Sequence, residues 1–295
     1  MNRCRALGLM AAIPLTARCA FDPSAIRIGS KNFTESFVIA EIYAQALEAA
    51  GMRVERLFNL GSTQIAMAAM ERGDIDCYPE YTGTALIDVL HLAPIPNPQR
   101  AYATVARLFE SRYGIVWLAP APMNDSQGLA TTRALAVRYR LATLSDLARQ
   151  APLLRLATIQ EFLARSDGLP GLQRAYGGFR FREIRTYDIA LKYRALLEGK
   201  ADVASAFTTD GAIATDALVL MRDDRHFWPA YNVAPVVRRA TLAARPQIAH
   251  LLDAVSARLT DRAARSMNAA VENDQADPAD VAAAFLSFDR LRMTK

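Results

Sequence analysis

Residues 26–81 read IRIGSKNFTESFVIAEIYAQALEAAGMRVERLFNLGSTQIAMAAMERGDIDCYPEY, and this stretch sets the fold class. Its apolar pattern switches between a period of two and a helical period, which predicts strands alternating with amphipathic helices. The strands are predicted at residues 26–28, 54–58 and 75–78, and the helices over 35–50 and up to 72, with Thr34 as the first N-cap and Gly51 and Gly73 as stops. This order is typical of parallel α/β units.

A second unit of the same order lies further along the chain, with strands predicted at 153–158, 179–187 and 202–207. The two units resemble each other where a helix ends at Gly and the next strand begins. Asp76 is followed five residues later by Tyr81, and Asp202 is followed five residues later by Phe207. A threonine follows each aromatic residue, at the carboxyl end of a strand, where open α/β sheets bind ligands. The repeat therefore predicts two matched lobes that face one cleft.

Proline and paired polar residues mark the crossings between these lobes, near 117–125 and 220–235. The chain is accordingly divided into a signal peptide, a first lobe, a second lobe, a return to the first lobe and a tail. These segments are predicted at residues 1–20, 26–118, 119–225, 226–288 and 289–295.

Charge and composition exclude several classes of protein. The 35 basic and 30 acidic residues leave a small positive charge that is scattered along the chain, so no nucleic-acid-binding stripe is predicted. No Cys/His spacing resembles a metal site, and Cys77 is expected to be a buried small hydrophobe. His91, His226 and His250 are isolated, and neither a nucleophile elbow nor a phosphate-binding glycine motif is present. We therefore expect no catalytic residues, no metal and no cofactor.

The first twenty residues resemble a secretory signal peptide. Arg3 and Arg5 precede an apolar run over 6–15, and small residues follow near Cys19. The run is too short to anchor the protein in a bilayer, and no later stretch is apolar for long enough. We expect a periplasmic protein, with Cys19 as an alternative site of lipid attachment.

Several motifs resemble one family, the quaternary-ammonium-compound binding proteins of osmoprotectant ABC transporters. They are Gly29-Ser30-Lys31-Asn32-Phe33-Thr34-Glu35, Leu60-Gly61-Ser62-Thr63, Pro79-Glu80-Tyr81-Thr82-Gly83-Thr84, Phe207-Thr208-Thr209-Asp210-Gly211, Asp223-Asp224-Arg225-His226-Phe227-Trp228-Pro229 and Ala234-Pro235-Val236-Val237. The resemblance spans nearly all of residues 26–286. It implies a two-lobed periplasmic-binding-protein fold, type II-like, with the ligand in the inter-lobe cleft. It also implies a monomer that delivers a betaine-like solute to an ABC permease and its ATPase.

The resemblance further implies an aromatic box around a trimethylammonium group, which has no hydrogen to donate and is recognised through ring faces. The box maps to Tyr81 and Tyr231, with Phe207 where the family often has Tyr. Gln127 stands where a fourth aromatic is expected, and this departure indicates either a weaker grip or a different head group.

Polar groups are expected to hold the other end of the ligand. The resemblance places Lys31 and Thr84 there. Thr208, the hydroxyl residue after Phe207, is a further predicted ligand-binding residue. A lysine suits a carboxylate, so a zwitterion is favoured over choline. Two alternatives stay open from the residues: a protein of the same fold that binds another small solute such as an amino acid, and an enzyme built on this fold.

Overall fold

The computed structural model describes residues 24–189, 191–214 and 217–287, and it contains two separate five-stranded sheets. The predicted signal peptide and tail lie outside the described residues. The first sheet has the strand order β2-β1-β3-β10-β4. Its strands are β1 (Ile26–Gly29), β2 (Val54–Leu57), β3 (Cys77–Tyr81), β4 (Ile115–Trp117) and β10 (Val233–Arg238).

The second sheet repeats this arrangement with the order β7-β6-β8-β5-β9. Its strands are β5 (Gln127–Thr132), β6 (Arg155–Thr158), β7 (Glu183–Thr186), β8 (Val203–Phe207) and β9 (Leu218–Leu220). In each sheet four strands run in the same direction and one runs against them: β10 is antiparallel to its neighbours β3 and β4, and β5 is antiparallel to its neighbours β8 and β9. The expectation of parallel units holds for the three predicted strands of each sheet, and the antiparallel strands β10 and β5 were not predicted.

Helices connect and cover the strands. They are α1 (Thr34–Ala49), α2 (Thr63–Arg72), α3 (Thr82–Thr84), α4 (Pro98–Tyr113), α5 (Arg133–Tyr139), α6 (Leu144–Gln150), α7 (Gln160–Ala164), α8 (Leu169–Tyr176), α9 (Lys192–Leu197), α10 (Arg239–Ala244), α11 (Gln247–Ser256), α12 (Asp261–Glu272) and α13 (Pro278–Ser287). A π-helical turn, Ala85–Val89, follows α3, and short 3-10 turns occur at Ala151–Leu153 and Gly211–Ala214.

The chain passes twice between the sheets, from β4 to β5 and from β9 back to β10. The two crossovers touch, because Asn124 and Asn232 form an isolated antiparallel bridge. Trp228, in the second crossover, packs against the hydrophobic clusters of both lobes. The two-lobed α/β fold is thus present, while the exact lobe boundaries stay predictions.

The repeat seen in the sequence has a structural basis in two matching ion pairs. Asp76 accepts hydrogen bonds from the backbone N–H of Arg27 (2.9 Å) and from its guanidinium (3.0 and 3.1 Å). Asp202 binds the backbone N–H and guanidinium of Arg155 in the same way, at 2.8, 2.9 and 2.9 Å. In both lobes a carboxylate therefore ties the start of the first strand to the entry of the third.

Some local predictions are corrected by the structure. Phe33, not Thr34, is the N-cap of α1, because the helix already includes Thr34 and no side chain caps it. The strand predicted at 75–78 is β3 at Cys77–Tyr81, since Asp76 is engaged with Arg27 before the ladder begins. Gly73 does end α2, with φ of 77°.

None of the helices within the described ranges is long and apolar enough to cross a lipid bilayer. Over the same residues, no group of three or more His, Cys, Asp or Glu side chains could hold a metal ion.

Candidate functional site

The predicted ligand residues lie at the facing strand ends of the two sheets. In the first lobe, Tyr81 ends β3 and Tyr231 precedes β10 by two residues, while Lys31 follows β1. In the second lobe, Gln127 begins β5 and pairs directly with Phe207 at the end of β8, so the two side chains share one face of the sheet. Open α/β sheets place ligands at such strand ends.

Asp167 joins Tyr231 of the first lobe to Gln127 of the second. Its carboxylate is fully buried, and it accepts a hydrogen bond from the Tyr231 hydroxyl and one of 2.8 Å from Gln127 Nε2. The indole N–H of Trp228 donates to the Asp167 carbonyl at 2.8 Å. Sequence reasoning missed Asp167 because a lone aspartate in a loop carries no pattern that identifies it.

Arg165 compensates the charge of Asp167 and reaches across to the first lobe. Its guanidinium donates to Asp167 at 2.8 and 2.6 Å and also contacts the carboxylate of Asp88 in the π-helical turn. Arg165 was also missed. The only signal that could have drawn attention to it is its place two residues before Asp167.

A cavity of about 740 Å³ lies between the lobes beside this group. Its walls come from 87–94 in the first lobe and 164–175 in the second, with Phe227 of the crossover. Asp88 and Arg165 line it, and none of the seven predicted residues does. The predicted box and the cavity are therefore neighbours that meet at Arg165 and Asp167.

Lys31 forms a buried ion pair with a carboxylate of the protein. Its ammonium lies 2.8 Å from the fully buried Glu80 and 4.7 Å from the centroid of the Tyr81 ring. Glu80 also accepts from the Tyr78 hydroxyl (2.8 Å) and the Tyr81 backbone N–H (2.7 Å). Glu80 therefore balances the positive charge that was expected to favour a ligand carboxylate.

The ring of Phe207 also lies beside a lysine ammonium group. The Lys192 ammonium lies 4.8 Å from the centroid of the Phe207 ring and 3.2 Å from Asp210 Oδ2. Tyr81 and Phe207, both predicted as walls of the box, thus each have an internal cation within cation–π distance.

The two predicted threonines differ in their surroundings. Thr208 is occupied by the first crossover, since its hydroxyl donates to the Asn124 carbonyl (2.8 Å) and accepts from the Ser126 N–H (2.9 Å). Thr84 is half-buried at the end of α3, one helical turn before Asp88 of the cavity. Both assignments stay predictions.

A second buried acidic group adjoins Tyr81 at the junction of the lobes. The Tyr81 hydroxyl donates to Glu35 at 2.7 Å, and the Thr209 hydroxyl donates to Asp125 at 2.6 Å. Asn268 of α12 donates to both Glu35 (2.9 Å) and the Thr209 carbonyl (2.8 Å). Burial raises the pKa of Glu35, and burial together with the charge of Glu35 raises the pKa of Asp125 well above its usual range.

Among the described residues, the side chains around the cleft contain more carboxyl groups than cations. The carboxyl groups are Glu35, Glu80, Asp88, Asp125, Asp167 and Asp210, and the buried cations beside them are Lys31, Arg165 and Lys192. Aromatic ring faces beside these groups favour a positively charged group of low hydration.

Comparisons with known proteins give matches over most of the chain. The model of a family described as the substrate-binding domain of ABC-type glycine betaine transport systems matches residues 24–287. The chain is 35% identical to a glycine-betaine-binding protein of Pseudomonas aeruginosa over 296 aligned positions, covering 97% of this chain and 94% of the relative. It is 32% identical to the glycine betaine-binding protein YehZ of Escherichia coli, covering 95% and 94%. A crystal structure of a glycine betaine/carnitine/choline ABC transporter protein superposes with a TM-score of 0.77 at 28% identity, covering 90% of this chain and 98% of the other.

Proposed function

Since the chain belongs to the family of substrate-binding domains of ABC-type glycine betaine transport systems, we propose that it binds a betaine-like quaternary ammonium solute and delivers it to the permease of an ABC importer. Members of this family are transporter components and not enzymes. The protein acts as a monomer in the periplasm, after its first twenty residues have directed export, and its partners are the permease and the associated ATPase.

The observation that carries this proposal is the meeting of aromatic rings and carboxylates at one junction. Tyr81 and Tyr231 are 3% and 2% exposed, so their rings are shielded from water. A cation–π contact is stronger in such a desolvated position than at an exposed one. A quaternary ammonium group fits such a desolvated aromatic site because it has no N–H and therefore needs no hydrogen-bond acceptor.

A zwitterion also needs a partner for its carboxylate. Lys31 and Thr84 are the candidates named by resemblance, and Arg165 joins them as a cation that lines the cavity while contacting Asp88 and Asp167. Lys31 and Arg165 are both paired with carboxylates of the protein. A ligand carboxylate would therefore share the N–H donors of these two side chains with the protein carboxylates, rather than bind an unpaired cation.

Isothermal titration calorimetry on the exported form tests this function. Glycine betaine, carnitine and choline are titrated, with glycine and L-proline as controls that lack the trimethylammonium group. We expect binding of glycine betaine and at least tenfold weaker binding of glycine, because only the methylated nitrogen fills the aromatic box. Equal affinity for glycine and glycine betaine would refute the proposal.

A protein of this fold that binds an amino acid is the second candidate. The observation that favours it is the Gln127–Asp167 pair, which offers polar atoms where a fourth ring was expected. An ammonium group with N–H donors would suit these atoms. Binding of an amino acid without any response to the betaines would establish this alternative.

A further inference from the structure

Lys192 is a charged residue in an unusual position. It is the first residue of α9, and only 1% of its surface is exposed, although lysines are rarely buried without a partner. Its ammonium lies 4.8 Å from the ring centroids of both Phe207 and Tyr193. Two aromatic faces and one carboxylate therefore enclose this cation inside the second lobe.

Asp210 pairs with Lys192 and is shared with two other donors. Its Oδ2 atom is 3.2 Å from the ammonium and also accepts hydrogen bonds from the Tyr193 hydroxyl and from the Phe207 backbone N–H (3.0 Å). One carboxylate oxygen thus serves three donors. Lys192 also acts on groups further away, since its charge lowers the pKa of Asp125 against the larger effect of burial.

We propose that Lys192 is a specificity-determining residue of the solute site, which disfavours ligands of net positive charge relative to zwitterions. This inference rests on the proposed function and on Phe207 as a wall of the box. Lys192 lies on one side of the Phe207 ring, and the ligand's ammonium group would approach the other side. Two cations at cation–π distance on opposite faces of a ring are separated by roughly 10 Å.

The consequence depends on the net charge of the ligand. At this separation and an effective dielectric constant of about 20, two like charges repel enough to change a dissociation constant roughly tenfold, less the part that Asp210 offsets. Choline carries one positive charge and no negative charge, so the repulsion by Lys192 acts on it without any offset from the ligand itself. In glycine betaine the nearby carboxylate offsets most of it.

The test is the ratio of dissociation constants for choline and glycine betaine, measured by calorimetry on the full exported chain. In Lys192→Met we expect this ratio to fall about five- to tenfold, because choline binding tightens while glycine betaine binding changes little. Lys200→Met is the matched control, since Lys200 lies on the same lobe, is exposed and pairs with Glu198. It removes the same formal charge and should leave the ratio within twofold of the wild type.

Asp210→Asn provides a prediction of opposite sign. Asparagine has the same shape and can still accept from the Phe207 N–H, but it removes the carboxylate charge that pairs with Lys192. The ratio should therefore rise, and this variant decides the matter if Lys192→Met does not fold. A purely structural role for Lys192 would weaken both ligands alike and leave the ratio unchanged in both variants, which would overturn the inference. A wild-type protein that binds neither ligand would instead refute the proposed function.

Discussion

Tyr231 shows how a single side chain links the two lobes. A Cβ atom at Gly83 would come within 2.5 Å of its ring, so the Thr-Gly-Thr turn needs glycine for the ring to pack this close to the backbone. At its other end the hydroxyl donates to Asp167 of the second lobe. The ring and the hydroxyl therefore have separable roles, one toward a ligand and one toward lobe contact.

Substitution of Tyr231 can separate these roles. Tyr231→Ala removes both the ring and the hydroxyl. We expect the binding free energy for glycine betaine to become less favourable by at least about 2 kcal/mol, because a desolvated cation–π contact and packing are lost. Tyr231→Phe keeps the ring and loses only the hydroxyl, so its affinity should stay within about 1 kcal/mol of the wild type. Calorimetry on both variants measures this difference. If the two substitutions weaken binding equally, the hydroxyl rather than the ring holds the ligand.

At the level of elements, the Arg–Asp pairs explain why two distant stretches fold alike. Asp76 lies at the entry of β3 and binds the strand β1 through Arg27, and it also accepts from the Thr241 hydroxyl (3.2 Å) of the returning segment. Asp202 does the same for β8 and β6 through Arg155. Each carboxylate satisfies a backbone N–H that the strand ladder leaves without a partner.

Removing the charge of Asp76 should therefore destabilise the first lobe. We expect Asp76→Asn to lower the free energy of unfolding by about 2 kcal/mol, the scale for hydrogen bonds to a charged group. Asp74→Asn is the control, because Asp74 forms an exposed pair with Arg72 and such pairs contribute less than about 1 kcal/mol. Urea denaturation followed by circular dichroism measures both. Equal losses in the two variants would show that the buried pair has no special role.

At the level of the whole molecule, the acidic group around Asp125 lies where the two lobes, the first crossover and the C-terminal helices meet. Glu35 belongs to the first lobe, Asp125 to the crossover, Thr209 to the second lobe and Asn268 to the C-terminal helices. The raised pKa values of Glu35 and Asp125 mean that the folded protein retains protons that the unfolded chain would release.

The stability of the ligand-free protein should depend on pH through this group. A carboxyl group whose pKa is raised in the fold contributes fully below its unfolded pKa, and that contribution is lost as pH rises through the folded pKa. An asparagine side chain cannot titrate, so Asp125→Asn should gain stability relative to the wild type as pH rises from 5 to 8. Urea unfolding at four pH values over this range measures the trend.

Asp202→Asn is the matched comparison for this experiment. Arg155 lowers the pKa of Asp202, so this carboxylate is ionised throughout the range and the loss of stability in the variant should be constant. If Asp125→Asn also showed a constant difference from the wild type, Asp125 would be ionised in the fold and the expectation would be wrong.

The amino-acid sequence alone determined the order of strands and helices in residues 26–81 and the matching order in the second lobe. Helical periodicity, the stop at Gly73 and the alternation of short apolar runs act over a few residues, so they can be read from a short window. The resemblance of motifs such as Pro79-Glu80-Tyr81-Thr82-Gly83-Thr84 added the family and seven candidate ligand residues.

Tertiary structure decided what those residues contact, because their partners are distant in sequence. Lys31 meets Glu80 across 49 positions and Tyr231 meets Asp167 across 64. No local pattern encodes such pairs, since they form only when strands from different parts of the chain lie side by side. The same reason applies to β10, which returns after the second lobe to insert antiparallel between β3 and β4. Arg165, Asp167 and Lys192 became visible as parts of the site only through this long-range packing.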